Sequence, residues 1–129
     1  MSKGRILVAE DRAEMAVVVE AMLEDLGFDV DLATDGGVAV QKAREHHYAA
    51  ILMDIEMPVL DGLQATEIIR RQDGPTGQAP IIGVTGHSTT GMRHLCLRAG
   101  MTEFLIKPFT IEQLDKTLTA HVAAAPDGG

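Results

Sequence analysis

Residues Ala49-Ala50-Ile51-Leu52-Met53-Asp54-Ile55-Glu56-Met57-Pro58-Val59-Leu60-Asp61-Gly62 hold an apolar run that stops at a carboxylate and is then broken by a proline and a glycine. Ala49–Met53 is too short for a stable helix and apolar at every position, which is the pattern of a strand buried on both faces. Pro58 and Gly62 end any regular structure continuing from it, and Asp61 offers an N-cap for a helix reaching about Arg71. A buried strand, an acid at its carboxyl end, a loop and a helix form one unit.

The same unit recurs in both directions. Upstream, Arg5–Ala9 reads as a buried strand. Met15, Val18, Val19, Met22, Leu23 and Leu26 then fall at helical spacing over Ala13–Leu26, with Gly27 as the stop. Phe28–Leu32 alternates apolar and acidic residues as a half-buried strand does, and Asp35-Gly36-Gly37 starts a helix to about His46. Downstream, Ile81–Val84 is a third buried strand. A weak helix over Thr89–Ala99, interrupted by Gly91, ends at Gly100; Phe104–Ile106 is a short strand; and Thr110-Ile111-Glu112-Gln113 has capping-box spacing before a last helix through Leu114 and Leu118. Cys96 and the methionines at helical spacing read as core, and His46, His47, His94 and His121 as surface or rim. Five βα units in a row imply an α/β fold, a parallel sheet covered on both faces by helices, and right-handed crossovers make it a doubly wound three-layer sandwich.

The 129 residues suit one domain, expected over 1–123, with the Ala/Pro/Gly-rich 124–129 as a disordered tail. No apolar run is long enough for a bilayer and no signal-peptide pattern opens the chain, so a cytoplasmic setting without membrane attachment is expected. A formal charge of −8 disfavours a nucleic-acid partner. The single cysteine excludes an intrachain disulfide and multi-cysteine metal sites.

In a sheet of this kind ligands bind beyond the carboxyl ends of the strands. The residues there are Glu10 and Asp11, Asp54, Thr85 and Lys107. Carboxylates brought together repel unless a cation intervenes, and an all-oxygen donor set suits Mg²⁺, with Mn²⁺ as a substitute. Asp54 is then a candidate nucleophile for a phosphoryl group, with Thr85 and Lys107 placed to hold the transferred oxygens. Each residue has a plainer reading: Glu10 and Asp11 as caps of the first helix, Asp54 as a turn cap, Thr85 as a β-branched strand end, Lys107 as a surface lysine, Phe104 as core.

Glu10-Asp11, Asp54-Ile55-Glu56-Met57-Pro58-Val59-Leu60-Asp61-Gly62, Val84-Thr85 and Lys107-Pro108-Phe109 together resemble the signature of the response-regulator receiver domain, over roughly Arg5 to Ala120. The stretches Ala65–Arg70 and Ala99–Pro108, and Glu10 in place of the commoner Asp, are similar to receivers of hybrid histidine kinases. The resemblance implies a flavodoxin-like sheet of order 2-1-3-4-5 and a phosphorelay switch that catalyses its own phosphorylation and dephosphorylation without turning over a separate substrate. Asp54 would be the phosphoacceptor and Thr85 and Lys107 its catalytic partners. Asp11 would ligate Mg²⁺ directly, Glu10 through water, and the backbone carbonyl of Glu56 would complete the set with Asp54. Lys107–Pro108 would be cis, which proline permits. Thr85 and Phe104 would form the switch, and Glu56 and His87 would tune dephosphorylation. A sensor histidine kinase or a histidine phosphotransfer protein would be the donor, and a downstream protein the target of a face built from the fourth helix, fifth strand and fifth helix. Arg12 and Gly86 depart from the commonest family pattern. Arg12 is placed to pair with a cluster carboxylate, and Gly86 to loosen the loop after Thr85.

Two other classes fit part of the pattern. A haloacid-dehalogenase-like phosphatase also uses a strand-end Asp with an acid two residues on, as in Asp54-Ile55-Glu56, but the chain is short for that fold and carries no cap insertion. A flavodoxin-like nucleotide binder would need a glycine-rich first turn, where Glu10-Asp11-Arg12-Ala13 has none.

Overall fold

The computed structural model describes residues 2–72, 74, 76–86 and 90–122. Ten elements alternate: β1 (Arg5–Ala9), α1 (Ala13–Asp25), β2 (Asp29–Ala33), α2 (Gly36–Glu45), β3 (Ala50–Asp54), α3 (Gly62–Arg71), β4 (Ile81–Thr85), α4 (Thr90–Ala99), β5 (Glu103–Ile106) and α5 (Ile111–His121). All strand pairs are parallel and the sheet order is β2-β1-β3-β4-β5. The order reverses direction at β1, so the ends of β1 and β3 flank the crevice where such sheets bind ligands.

Alternation along the strands divides the core in two. Leu7, Ile51, Met53 and Ile81 point to one face, where Ala39, Ala65, Ile69 and Cys96 of α2, α3 and α4 cover them. Ile6, Val8, Leu52, Ile82 and Val84 point to the other, against Val19 and Leu23 of α1 and Leu114 and Leu118 of α5. The strands of the centre are therefore apolar at successive positions, while β2, at one edge, keeps the alternation Asp29-Val30-Asp31-Leu32.

Helix starts follow the expected side chains. Asp35 accepts a hydrogen bond from the Val38 N–H (2.9 Å), and Asp61–Gln64 and Thr110–Gln113 close reciprocal capping boxes. Gly27 and Gly100 end α1 and α4 at φ +98° and +109°, the left-handed region that glycine enters without steric cost.

Boundaries differ from expectation by one residue in several places. The Phe28 N–H is spent on the Leu23 carbonyl at the end of α1, so β2 begins at Asp29 and includes Ala33. Asp54 pairs with Val84, and Thr85 with Ile106, so both are the last residues of their strands rather than the first residues of loops. Glu103 pairs with Ile82 and joins β5. Gly91 lies in the first turn of α4 and does not interrupt it. Cys96 is fully buried, as are Met53 and Met101; His46, His47 and His94 are exposed, and His121 pairs with Glu103 across β5 and α5.

Candidate functional site

The carboxyl ends of β1, β3, β4 and β5 bring the expected polar residues to one edge. Glu10 follows β1, its N–H bonded to the Ala33 carbonyl of β2 (3.0 Å). Asp54 closes β3, and its Oδ1 accepts from the Glu56 N–H at 3.1 Å. Lys107 leaves β5 with its N–H on the Thr85 carbonyl (2.7 Å), and the Lys107–Pro108 peptide is cis. Its Nζ stands 3.2 Å from both Glu10 Oε1 and Asp54 Oδ2. Thr85 is buried at the end of β4. One carboxylate oxygen each from Glu10, Asp11 and Asp54 lies within 4.8 Å of the others.

Glu10 and Asp54 are only 5% and 4% exposed, and Val8, Met15, Val19, Leu52 and Val84 form an apolar wall beside them. The charged groups are thus largely out of water, where an unpaired carboxylate is costly. Burial, then a hydrogen bond and repulsion from Asp54, push the Glu10 carboxyl from 4.5 up to about 7; Lys107 and the Arg12 N–H pull the other way. One ammonium does not satisfy three carboxylates. The donor set is oxygen only, close enough to share one ion and open to solvent on the exposed Asp11 side, which fits a hard divalent cation such as Mg²⁺.

Gly62 is what lets α3 start beside the acceptor. A Cβ there would lie 2.3 Å from the Asp54 carbonyl oxygen. The sequence shows a glycine after the Asp61 cap but not that it touches the backbone of Asp54. Val59, at the tip of the same loop, has φ +71° and sits in a three-residue turn closed by the Leu60 N–H on the Pro58 carbonyl (2.9 Å).

The remaining sequence expectations resolve individually. Neither Glu10 nor Asp11 caps α1: the N-cap is Arg12, with no side-chain cap bond, and the Glu10 carboxylate instead accepts from the Arg12 N–H (3.3 Å). The Arg12 guanidinium is exposed and forms no ion pair with a described residue, so its expected pairing with the cluster is not seen. Phe104 on β5 is half-buried, pairs with Gly83 and packs on the core beneath α2, α3 and α4. Glu56 is exposed. His87 and residues 124–129 lie outside the described residues. Sequence reasoning missed Tyr48, buried beneath the sheet edge with its hydroxyl donating to Asp31 (2.7 Å), which Arg5 also pairs (2.7 Å). A lone Tyr before an apolar run carries no signal of a partner 17 residues away.

Residues 6–119 match the family profile of the response regulator receiver domain. The chain belongs to that family. The receiver domain is 35% identical over 116 residues to the signal transduction histidine-protein kinase BarA of Escherichia coli; that match takes in 90% of this chain but 12% of BarA, so the chain spans about one eighth of that relative's length. Among solved structures it is similar to the receiver domain of sensor histidine kinase PA1611 of Pseudomonas aeruginosa, with 42% identity, a TM-score of 0.86 and coverage of 94% of this chain and 98% of that one; that crystal structure has a magnesium ion coordinated in its active site cleft. It is also similar to the chemotaxis protein CheY4 of Vibrio cholerae, with 30% identity, a TM-score of 0.87 and coverage of 95% and 100%. The receiver domain is a signalling module of two-component phosphorelay systems. Among the described residues no helix is long and apolar enough to cross a membrane.

Proposed function

We propose that this receiver domain, spanning residues 1–123, takes a phosphoryl group onto Asp54 from a phosphohistidine of a sensor kinase or histidine phosphotransfer protein, or from acetyl phosphate. A carboxylate oxygen of Asp54 forms the new O–P bond as the donor's P–N bond breaks. The electron pair leaves with the imidazole nitrogen, which takes a proton from solvent; from acetyl phosphate the P–O bond breaks instead and acetate leaves with its electron pair. The observation that carries this reading is the Lys107 ammonium held 3.2 Å from Asp54 at the mouth of a desolvated carboxylate cluster. A charge so placed can pass from the carboxylate to the incoming phosphoryl oxygens without reorganising the strand ends. Thr85, at the end of the neighbouring strand, would hydrogen-bond a second of those oxygens.

Asp11 and Asp54, with the backbone carbonyl of Glu56 and with Glu10 through water, would hold Mg²⁺, or Mn²⁺ in its place. The ion supplies positive charge that offsets the crowded carboxylates and the phosphoryl oxygens. Glu56 and His87 are read as tuning hydrolysis of the phosphoaspartate. Movement of Thr85 towards the phosphoryl group would open space that the Phe104 ring fills, biasing the α4–β5–α5 face between two arrangements and so its affinity for a downstream protein.

Incubation with acetyl phosphate and Mg²⁺ followed by intact-mass measurement tests this. One phosphoryl group is expected on the wild type, none on Asp54→Asn and none in EDTA, with no turnover of p-nitrophenyl phosphate. Labelling that persists in Asp54→Asn would place the acceptor elsewhere, and steady turnover would make the chain a phosphatase.

A further inference from the structure

Arg12 stands where folding has no use for its side chain. It is the N-cap of α1, a position that favours a short polar side chain able to accept from the first turn, and it makes no such bond. A cation there also meets the positive end of the helix dipole. Its guanidinium is exposed and forms no ion pair with a described residue, although the chain from Glu10 to Asp35 carries nine acids and no other basic residue. Its backbone, by contrast, is fixed to the site, since the Arg12 N–H donates to Glu10 Oε2 at 3.3 Å.

A phosphoryl donor brings negative charge to a mouth formed by the carboxylates of Glu10, Asp11 and Asp54, with the exposed Glu14 and Glu56 close by in the chain. Lys107 is already held by Glu10 and Asp54. Arg12, unlike it, is held by no described carboxylate. We propose that Arg12 is a specificity-determining residue of phosphoryl transfer, whose unpaired guanidinium draws doubly negative small donors of the acyl phosphate class into a mouth that otherwise repels them. The proposal rests on the reading of Asp54 as phosphoacceptor and names the donor charge that the site selects. The same guanidinium follows Asp11 in the chain and opposes a divalent cation there, so anion and cation respond to it with opposite sign.

Arg12→Asn removes the charge and supplies a preferred N-cap, so it should raise the unfolding temperature, which separates loss of charge from damage to the fold. Its labelling by acetyl phosphate at saturating Mg²⁺, followed by intact mass, should slow about twofold to fivefold, the range of an exposed charge pair. Phosphoramidate, with one negative charge fewer, should be affected less. Arg12→Lys should label as the wild type does, and added salt should erase the difference between Arg and Asn. In amide-shift titrations Arg12→Asn should bind inorganic phosphate, with Mg²⁺ present, about twofold to fivefold more weakly, and Mg²⁺ alone more tightly by a similar factor. Unchanged labelling, an equal loss with both donors, no rescue by Arg12→Lys, or phosphate and Mg²⁺ affinities that move in the same direction would each overturn the proposal. A wild type that takes no label on Asp54, with the opposed changes in phosphate and Mg²⁺ affinity intact, would instead sink the phosphoacceptor reading and leave the selection of anions by Arg12 standing.

Discussion

Glu10 is a carboxyl whose proton the fold retains. Between pH 4.5 and about 7 the folded chain keeps a proton there that the unfolded chain has lost. The stability this contributes is complete below the unfolded value and is lost as the pH rises through about 7, amounting to up to roughly 3 kcal/mol. Denaturant unfolding in EDTA from about pH 5 to 8 should therefore show stability falling with pH, and Glu10→Gln should flatten that slope. Val59 is a second residue with a measurable cost. It is 79% exposed and β-branched, yet held at φ +71°. Val59→Gly removes the steric conflict at some cost in unfolded-chain entropy, for a net gain of about 1 kcal/mol in thermal or denaturant unfolding. At this scale the residues that gather at the sheet edge were legible, since Glu10, Asp11, Asp54, Thr85 and Lys107 all stand at or just beyond the ends of apolar strands. Their environment was not. The sequence carries no sign that Glu10 is buried against Asp54, or that Val59 takes a left-handed turn, because both depend on how neighbouring loops close.

Helices and strands were readable where a side chain caps or an apolar run ends, as at Asp35, Asp61 and Thr110. What holds them to one another was less visible. Arg70 of α3 donates from Nε to the Gly100 carbonyl (2.9 Å) and from a terminal nitrogen to the carbonyls of Gly77 (3.0 Å) and Ala79 (2.6 Å). It therefore ties the end of α4 and the approach to β4 to α3, through carbonyls that no sequence pattern marks. Arg70→Met keeps the stem but leaves these acceptors unpaired, at a cost of about 2–4 kcal/mol. Amide exchange at Ile81 and Thr102, whose own bonds join β4 to the α4–β5 turn, should accelerate with it. Unchanged exchange there would mean that water replaces the guanidinium.

Across the whole molecule the sheet order followed from the βα alternation and the family resemblance, and the two-sided core from the unbroken apolar strands. Signal transmission belongs to this scale too. Phe104 lies beside Gly83, where an added Cβ would meet the Met101 sulfur at 2.5 Å, so the strand next to the ring has room for no side chain at that position. Phosphorylation with acetyl phosphate should change hydrogen exchange along α4 and β5 in the wild type. In Phe104→Ala the change should shrink several-fold while labelling of Asp54 persists; an undiminished response would show that the ring transmits nothing.

One of the two edge strands of the sheet, β2, bears on how the protein behaves when concentrated. It is five residues long, with Asp29 open to solvent and Asp31 locked by Arg5 and Tyr48. A short border studded with fixed negative groups is a poor template for another chain's backbone, so crowded solutions of this protein should resist fibril growth from that side.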